Sequence, residues 1–163
     1  MIHPMHGACH AYARVPQSIV ELLDAIKKRD TYIGQWELLA APAPFISLPA
    51  DWFTGRPIEL WIDNAGAIGG LVKGYSGKPD CAKIINMFHF AVAKLGAASL
   101  YIDYVPSESN PADVPSRAHE MTSDERLEAL AAFGPRVPMV VPPVADSQGH
   151  WRSFTEIASS VWH

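Results

Sequence analysis

Two short strands separated by a long helical stretch constrain this chain more than any other feature. Ile58-Glu59-Leu60-Trp61-Ile62-Asp63 alternates apolar and polar residues and closes on a carboxylate. That alternation is the period of a half-buried strand. Ser99-Leu100-Tyr101-Ile102-Asp103-Tyr104-Val105 repeats it. Between them, helical patterns cover about 65–72 and 79–95, with Gly74 and Gly77 marking the break. A connection of that length does not make a hairpin. It carries the chain over one face of a sheet and returns it parallel to the first strand. The expected class is therefore α/β. In open α/β sheets ligands collect beyond the carboxyl ends of the strands, and Asp63 stands at such an end.

The segments before this unit read as helices. Pro16-Gln17-Ser18 opens one, with Ile19, Leu22, Leu23 and Ile26 at the spacing of a single buried face. Lys27-Lys28-Arg29 follows at its end, where cations suit the helix dipole or a nucleic acid. A second helix starts near Thr31 or Tyr32 and places Ile33, Trp36, Leu39 and Ala40 on one face. Pro42 and Pro44 should break it, after which it resumes through Phe45, Ile46 and Leu48. Residues 1–15 form a short N-terminal segment, with one possible strand over about 8–15. Beyond Pro106 come a loop with a helical turn at Asp113, then a helix over 122–132 capped by Ser123. Four prolines between 134 and 143 suggest an extended tail, and 151–163 an amphipathic segment or a loose end.

Composition narrows the partners. Thirteen Lys and Arg against 17 Asp and Glu give a net charge of −4, so a polyanion must be held by a local patch or through a metal. Two cysteines are too few for a disulfide framework or a four-cysteine zinc site. No apolar run approaches the roughly 20 residues of a membrane span. The expectation is a soluble chain, intracellular (cytoplasmic or nuclear), with no membrane partner.

Three carboxylates stand out by position: Glu37 one helix before the strand, Asp63 at its end, and Asp113 shortly after the next strand. Converging in a cleft, they would suit Mg²⁺ or Mn²⁺, hard ions that favour carboxylate and water oxygens. Each also has an ordinary reading: a solvated helix residue, a helix cap, and the side chain of a turn.

Ile33-Gly34-Gln35-Trp36-Glu37-Leu38-Leu39-Ala40, then Leu60-Trp61-Ile62-Asp63-Asn64 with Lys73-Gly74-Tyr75-Ser76, then Val105-Pro106-Ser107-Glu108-Ser109-Asn110-Pro111-Ala112-Asp113-Val114-Pro115-Ser116-Arg117 occur in this order. Over about 16–118 the chain resembles the ribonuclease H-like domain of retroelement (retrotransposon) reverse transcriptases, most specifically in the N-P-A-D-x-P-S-R segment. The resemblance implies a mixed sheet flanked by helices. It also implies hydrolysis of the RNA strand of an RNA–DNA hybrid by an endonuclease using Mg²⁺ or Mn²⁺. Glu37, Asp63 and Asp113 would be the metal-binding catalytic residues. Asn64, Lys73, Ser107, Asn110 and Arg117 lie beside these motifs and are candidates for nucleic-acid contacts. The implied partners are the hybrid and the polymerase domain of the parent polyprotein.

One departure matters. The family begins with a strand bearing the first catalytic aspartate, whereas no Asp or Glu precedes Glu21 here. The sheet is therefore expected to lack its first strand or strands. The alternative is a catalytically inactive remnant, an interaction module that keeps the fold. A DNA-cutting relative on the same fold rests on analogy alone. His3, His6, Cys9 and His10 have spacing a metal could use, but a terminus whose histidines never converge is the simpler reading. Asp103 could stand in for a lost ligand, although a sheet-face carboxylate is the simpler account. Trp36, Trp52 and Trp61 read as core and sheet-face packing.

Overall fold

A computed structural model describes residues 1–26, 33–117, 120–148 and 150–161. Its centre is the expected parallel pair. Strand β3 (Pro57–Ile62) runs alongside β4 (Ser99–Tyr104) in a register from Pro57 opposite Ser99 to Ile62 opposite Tyr104. Helices α4 (Ala65–Lys73) and α5 (Pro79–Lys94) make the crossover. Each boundary has a local cause. The Asn64 side chain accepts the N–H of Ala67 at 2.9 Å and caps α4, while Gly74 in the left-handed region ends it. Pro79 starts α5, where its missing N–H costs nothing.

Ile58, Leu60, Ile62, Leu100 and Ile102 pack one sheet face against the core. That core is built mainly on α5, whose Ile84, Ile85, Met87, Phe88 and Ala91 are 0–1% exposed. Gly70 of α4 lets Ile85 approach closely; a Cβ there would meet the Ile85 Cδ1 at 2.9 Å. Helix α2 (Ile33–Ala40) packs against α4 and α5. It ends before Pro42, and the chain resumes as α3 (Ala43–Ser47), as the prolines indicated. Leu39 is buried and Trp36 packs against the core as expected, but Gln35 and Leu38 are buried and Ala40 is exposed, so the buried face is rotated slightly from the expected one. The rotation buries a polar residue because a partner awaits it. Gln35 Nε2 donates to Asp80 Oδ2 of α5 at 3.1 Å, both side chains being buried. In α1 (Gln17–Ile26), Ile19 is buried as expected. The side chains of Leu22, Leu23 and Ile26, and the run Lys27-Lys28-Arg29, lie outside the described residues.

Several boundaries differ from the sequence reading. Among the described residues the strands form two separate pairs, not one mixed sheet. Strands β1 (Ile2–His3) and β2 (Gly7–Ala8) form a small antiparallel hairpin of their own. Of the strand expected over about 8–15, only Ala8 lies in β2 and His10 in an isolated bridge to Arg136, while His3 organises the turn before β2. Its Nδ1 accepts the N–H groups of Met5 and His6 at 3.1 and 3.0 Å. Two of the histidines here do come together: the His3 and His6 rings stack at 4.2 Å, against Trp52, while His10 turns to the Gly134 carbonyl.

Downstream, α6 (Asp113–Ser116) is the expected turn, and α7 (Ser123–Ala131) the expected helix. Thr122, not Ser123, caps α7, because Glu125 reaches back to the Thr122 N–H and completes a capping box. The proline-rich segment is packed. His10 and Arg136 form a bridge, Val144 is 1% exposed, and Ile157 of α8 (Phe154–Val161) is 4% exposed in the core. Proline lacks an N–H but not apolar surface, and the chain between the prolines closes over the helices.

The tightest join in this closure is Gly134. Its φ is +72°, and a Cβ on it would run into the Ala8 carbonyl oxygen. Gly134→Ala should therefore destabilise the protein by about 3 kcal/mol, combining left-handed strain with overpacking against backbone. Urea unfolding would measure it, and a loss below about 1 kcal/mol would show that the two segments separate easily.

Candidate active site

Glu37 lies on α2 and Asp63 just past the end of β3. The Gln35–Asp80 bond clamps α2 against the start of α5, two residues from Glu37. The carboxylates of Glu37 and Asp63 then come close enough to repel one another. The Glu37 pKa is raised above the usual glutamate range, first by burial and then by the Asp63 charge; a hydrogen bond from Asn64 opposes the shift. Glu37 Oε2 is buried and finds no hydrogen-bond partner among the described residues. Asp63 is held from the other side, where Asn110 Nδ2 donates to its Oδ2 at 3.0 Å.

Asn110 is itself fixed by its loop, the stretch after β4. A 3₁₀ turn over Ser107–Ser109 delivers it, and its N–H donates to the Ser107 carbonyl at 3.2 Å. Its Oδ1 accepts from the Ala112 N–H at 3.0 Å, the side-chain turn typical of asparagine. The amide nitrogen is left pointing at Asp63.

The other sequence candidates divide. Asn64 is both the cap of α4 and a donor to Glu37, so its contact here is structural. Asp113 opens α6 and pairs with Arg117 one turn later at 3.2 Å. Ser107 is exposed in its turn. Lys73 ends α4, nine residues long and hence about 13 Å from the carboxylate end. Asp103 faces elsewhere: its oxygens accept from the Tyr101 hydroxyl and the Tyr104 N–H, each at 2.7 Å. Among the described residues no three His, Cys, Asp or Glu side chains come close enough to hold a metal ion.

A divalent cation can be tested against this arrangement. Glu37 and Asp63 offer hard oxygen donors, and the orphaned Glu37 Oε2 is a buried oxygen that a cation would satisfy. The carboxylate pair fits such an ion as two ligands. The clamps on it, Gln35 and Asn110, were missed as such in the sequence. For Asn110 a signal existed: Asn-Pro-Ala-Asp is turn chemistry, and such a turn aims an amide outward. For Gln35 there was none beyond a polar residue beside a helical apolar face.

No family model matches the chain, and no curated protein or solved structure matches it either. No helix among the described residues is long and apolar enough to cross a membrane.

The partly buried Glu37 carboxylate makes stability depend on pH with a definite sign. A glutamate whose folded-state pKa is raised contributes stability that is complete below its unfolded value and lost as pH rises through its folded value. Glu37→Gln removes that loss, and its amide can donate to Asp63. At neutral pH the variant should melt roughly 1–3 °C above the parent. The difference should vanish below the usual glutamate pKa. A variant that melts lower at neutral pH would show that the two carboxylates do not oppose each other.

Proposed function

We propose that the chain is a ribonuclease H-like domain of a reverse transcriptase, hydrolysing the RNA strand of RNA–DNA hybrids with Mg²⁺ or Mn²⁺. What supports the reading is one juxtaposition: the Glu37 carboxylate against Asp63 at the carboxyl end of a parallel strand. The ordered motifs carrying Glu37, Asp63 and Asn110 resemble that family.

In this reading Glu37 and Asp63 hold the divalent ion. Asn110 and Asn64 fix the two carboxylates in rotation, and the Gln35–Asp80 bond fixes the helix that carries Glu37. Such an ion would supply Lewis-acid chemistry, activating a water as nucleophile and offsetting charge on the phosphate. Arg117, Ser107 and the exposed edge of the Asn110 loop face the backbone of the hybrid, where contacts read shape and 2′-hydroxyls instead of sequence. Asp113 would join the acidic set only if binding of the hybrid both released Arg117 and moved α6 toward the other two carboxylates. Lys73, a helix length away, would meet the duplex at a more distant phosphate. The polymerase domain of the parent polyprotein is the proposed neighbour.

A second reading, a non-catalytic module that keeps the fold, is favoured by the Asp113–Arg117 pair, which occupies the third carboxylate. A labelled RNA–DNA hybrid incubated with folded protein in Mg²⁺ and Mn²⁺ separates the two. Cleavage confined to the RNA strand supports the first. No cleavage, with no rise in melting temperature on adding either ion, supports the second.

A further inference from the structure

The outer face of the parallel sheet has no part in the carboxylate site. Pro57, Glu59 and Trp61 of β3 and Ser99, Tyr101 and Asp103 of β4 point away from the core-facing residues, and none of them is basic. In register Glu59 lies opposite Tyr101 and Trp61 opposite Asp103. Two large aromatic side chains stand in solvent here, Trp61 at 52% and Tyr101 at 55% exposure. Their rings meet edge to face at 6.4 Å. The Tyr101 hydroxyl donates to Asp103 Oδ2 and the Tyr104 N–H to Oδ1, so this carboxylate is fixed beside the rings. Arg56, the basic residue nearest in sequence, is turned aside, its Nη2 lying 3.4 Å from Met5 Sδ.

We propose that this face is a docking surface for an arginine-bearing basic segment of a partner protein. Aromatic faces carry negative quadrupole potential that attracts a guanidinium, and arginine adds planar stacking that lysine lacks. Glu59 and Asp103 supply full negative charges on either side of Tyr101, and Asp103 offers a pre-oriented acceptor for a forked donor. The same charges repel phosphates. Stacked bases of a single-stranded nucleic acid, the other ligand that exposed aromatics attract, are therefore disfavoured here.

Backbone and indole N–H resonances of isotope-labelled protein would be followed while a hexapeptide of alternating arginine and serine is titrated in. The expected result is movement confined to Glu59, Trp61, Tyr101, Asp103 and their neighbours, weakened by added salt. Trp61→Ala and Asp103→Asn should each lower the affinity, and together by about tenfold. Both positions are on the solvent face, and circular dichroism verifies that the variants fold. The proposal is overturned if the glutamate–serine hexapeptide moves the same resonances equally. It is overturned too if the double variant binds the arginine peptide unchanged, or if oligothymidylate and not the basic peptide occupies the face. Phosphodiester cleavage is not the readout, so failure here leaves the ribonuclease reading intact, and the converse holds.

Discussion

Asp63→Asn should lower cleavage of an RNA–DNA hybrid by about 10³-fold while leaving the protein folded. The magnitude follows from the role proposed for the carboxylate. Losing a charged ligand to a catalytic cation removes several kcal/mol of transition-state stabilisation, and each 1.4 kcal/mol or so is tenfold in rate. The fold should survive because asparagine is isosteric and its carbonyl can still accept from Asn110 Nδ2. Repulsion with Glu37 disappears as well, so the variant should melt no lower than the parent. Activity within about threefold of the parent, on protein of unchanged melting temperature, would sink the assignment of Asp63 and with it the site. Loss of activity together with loss of fold would be a different result, pointing to a structural use of the Asp63–Asn110 bond.

The largest effect on stability is expected at Phe88. Its side chain is 0% exposed on α5, with the Phe45 ring edge-on at 5.6 Å, and α5 carries most of the core. Phe88→Ala should cost about 4 kcal/mol, the sum of lost transfer energy and an unfilled cavity. In a chain of this size that lowers the melting temperature by roughly 10 °C. Because α5 also anchors α2 through Asp80, the loosened core should blur the Glu37–Asp63 geometry before it unfolds the chain. A loss under about 2 kcal/mol in urea unfolding would mean that neighbours collapse into the space and the core is less rigid than its burial indicates.

The parts of this fold legible in sequence were those dictated by local periodicity. The alternation from Ile58 to Asp63 and from Ser99 to Tyr104 gave both strands and their parallel sense, and the glycines and Pro79 gave the helix ends between them. The sequence reading had three carboxylates converge; Glu37 and Asp63 lie near each other, while Asp113 pairs with Arg117 and no metal-holding trio forms among the described residues. What escaped was long-range. Gln35 is buried because Asp80 lies 45 residues later, and no local pattern encodes that partner. Asn110 read as a nucleic-acid contact because it lies beside the motif of Asp113; here its amide nitrogen donates to Asp63, 47 residues earlier. The prolines after Gly134 read as a free tail since proline composition reports backbone freedom, while Val144 and Ile157 bury side chains. The cap of α7 was read one position late, at Ser123, because only Glu125 reaching back to Thr122 selects between them.

The contact between His10 and residues 134–137 sets an order in time. The His10 imidazole binds the Gly134 carbonyl 124 residues away, and the His10 backbone exchanges hydrogen bonds with Pro135 and Val137. At about 5–20 residues per second, these partners emerge from a ribosome roughly 6–25 s after His10. Through that interval the sheet and its helices can already assemble, their contacts with one another being complete once β4 is made, while Val144 and Ile157 join the core later. His10 thus gains these partners late, and a nascent chain halted short of Gly134 lacks the hydrogen bonds that hold it.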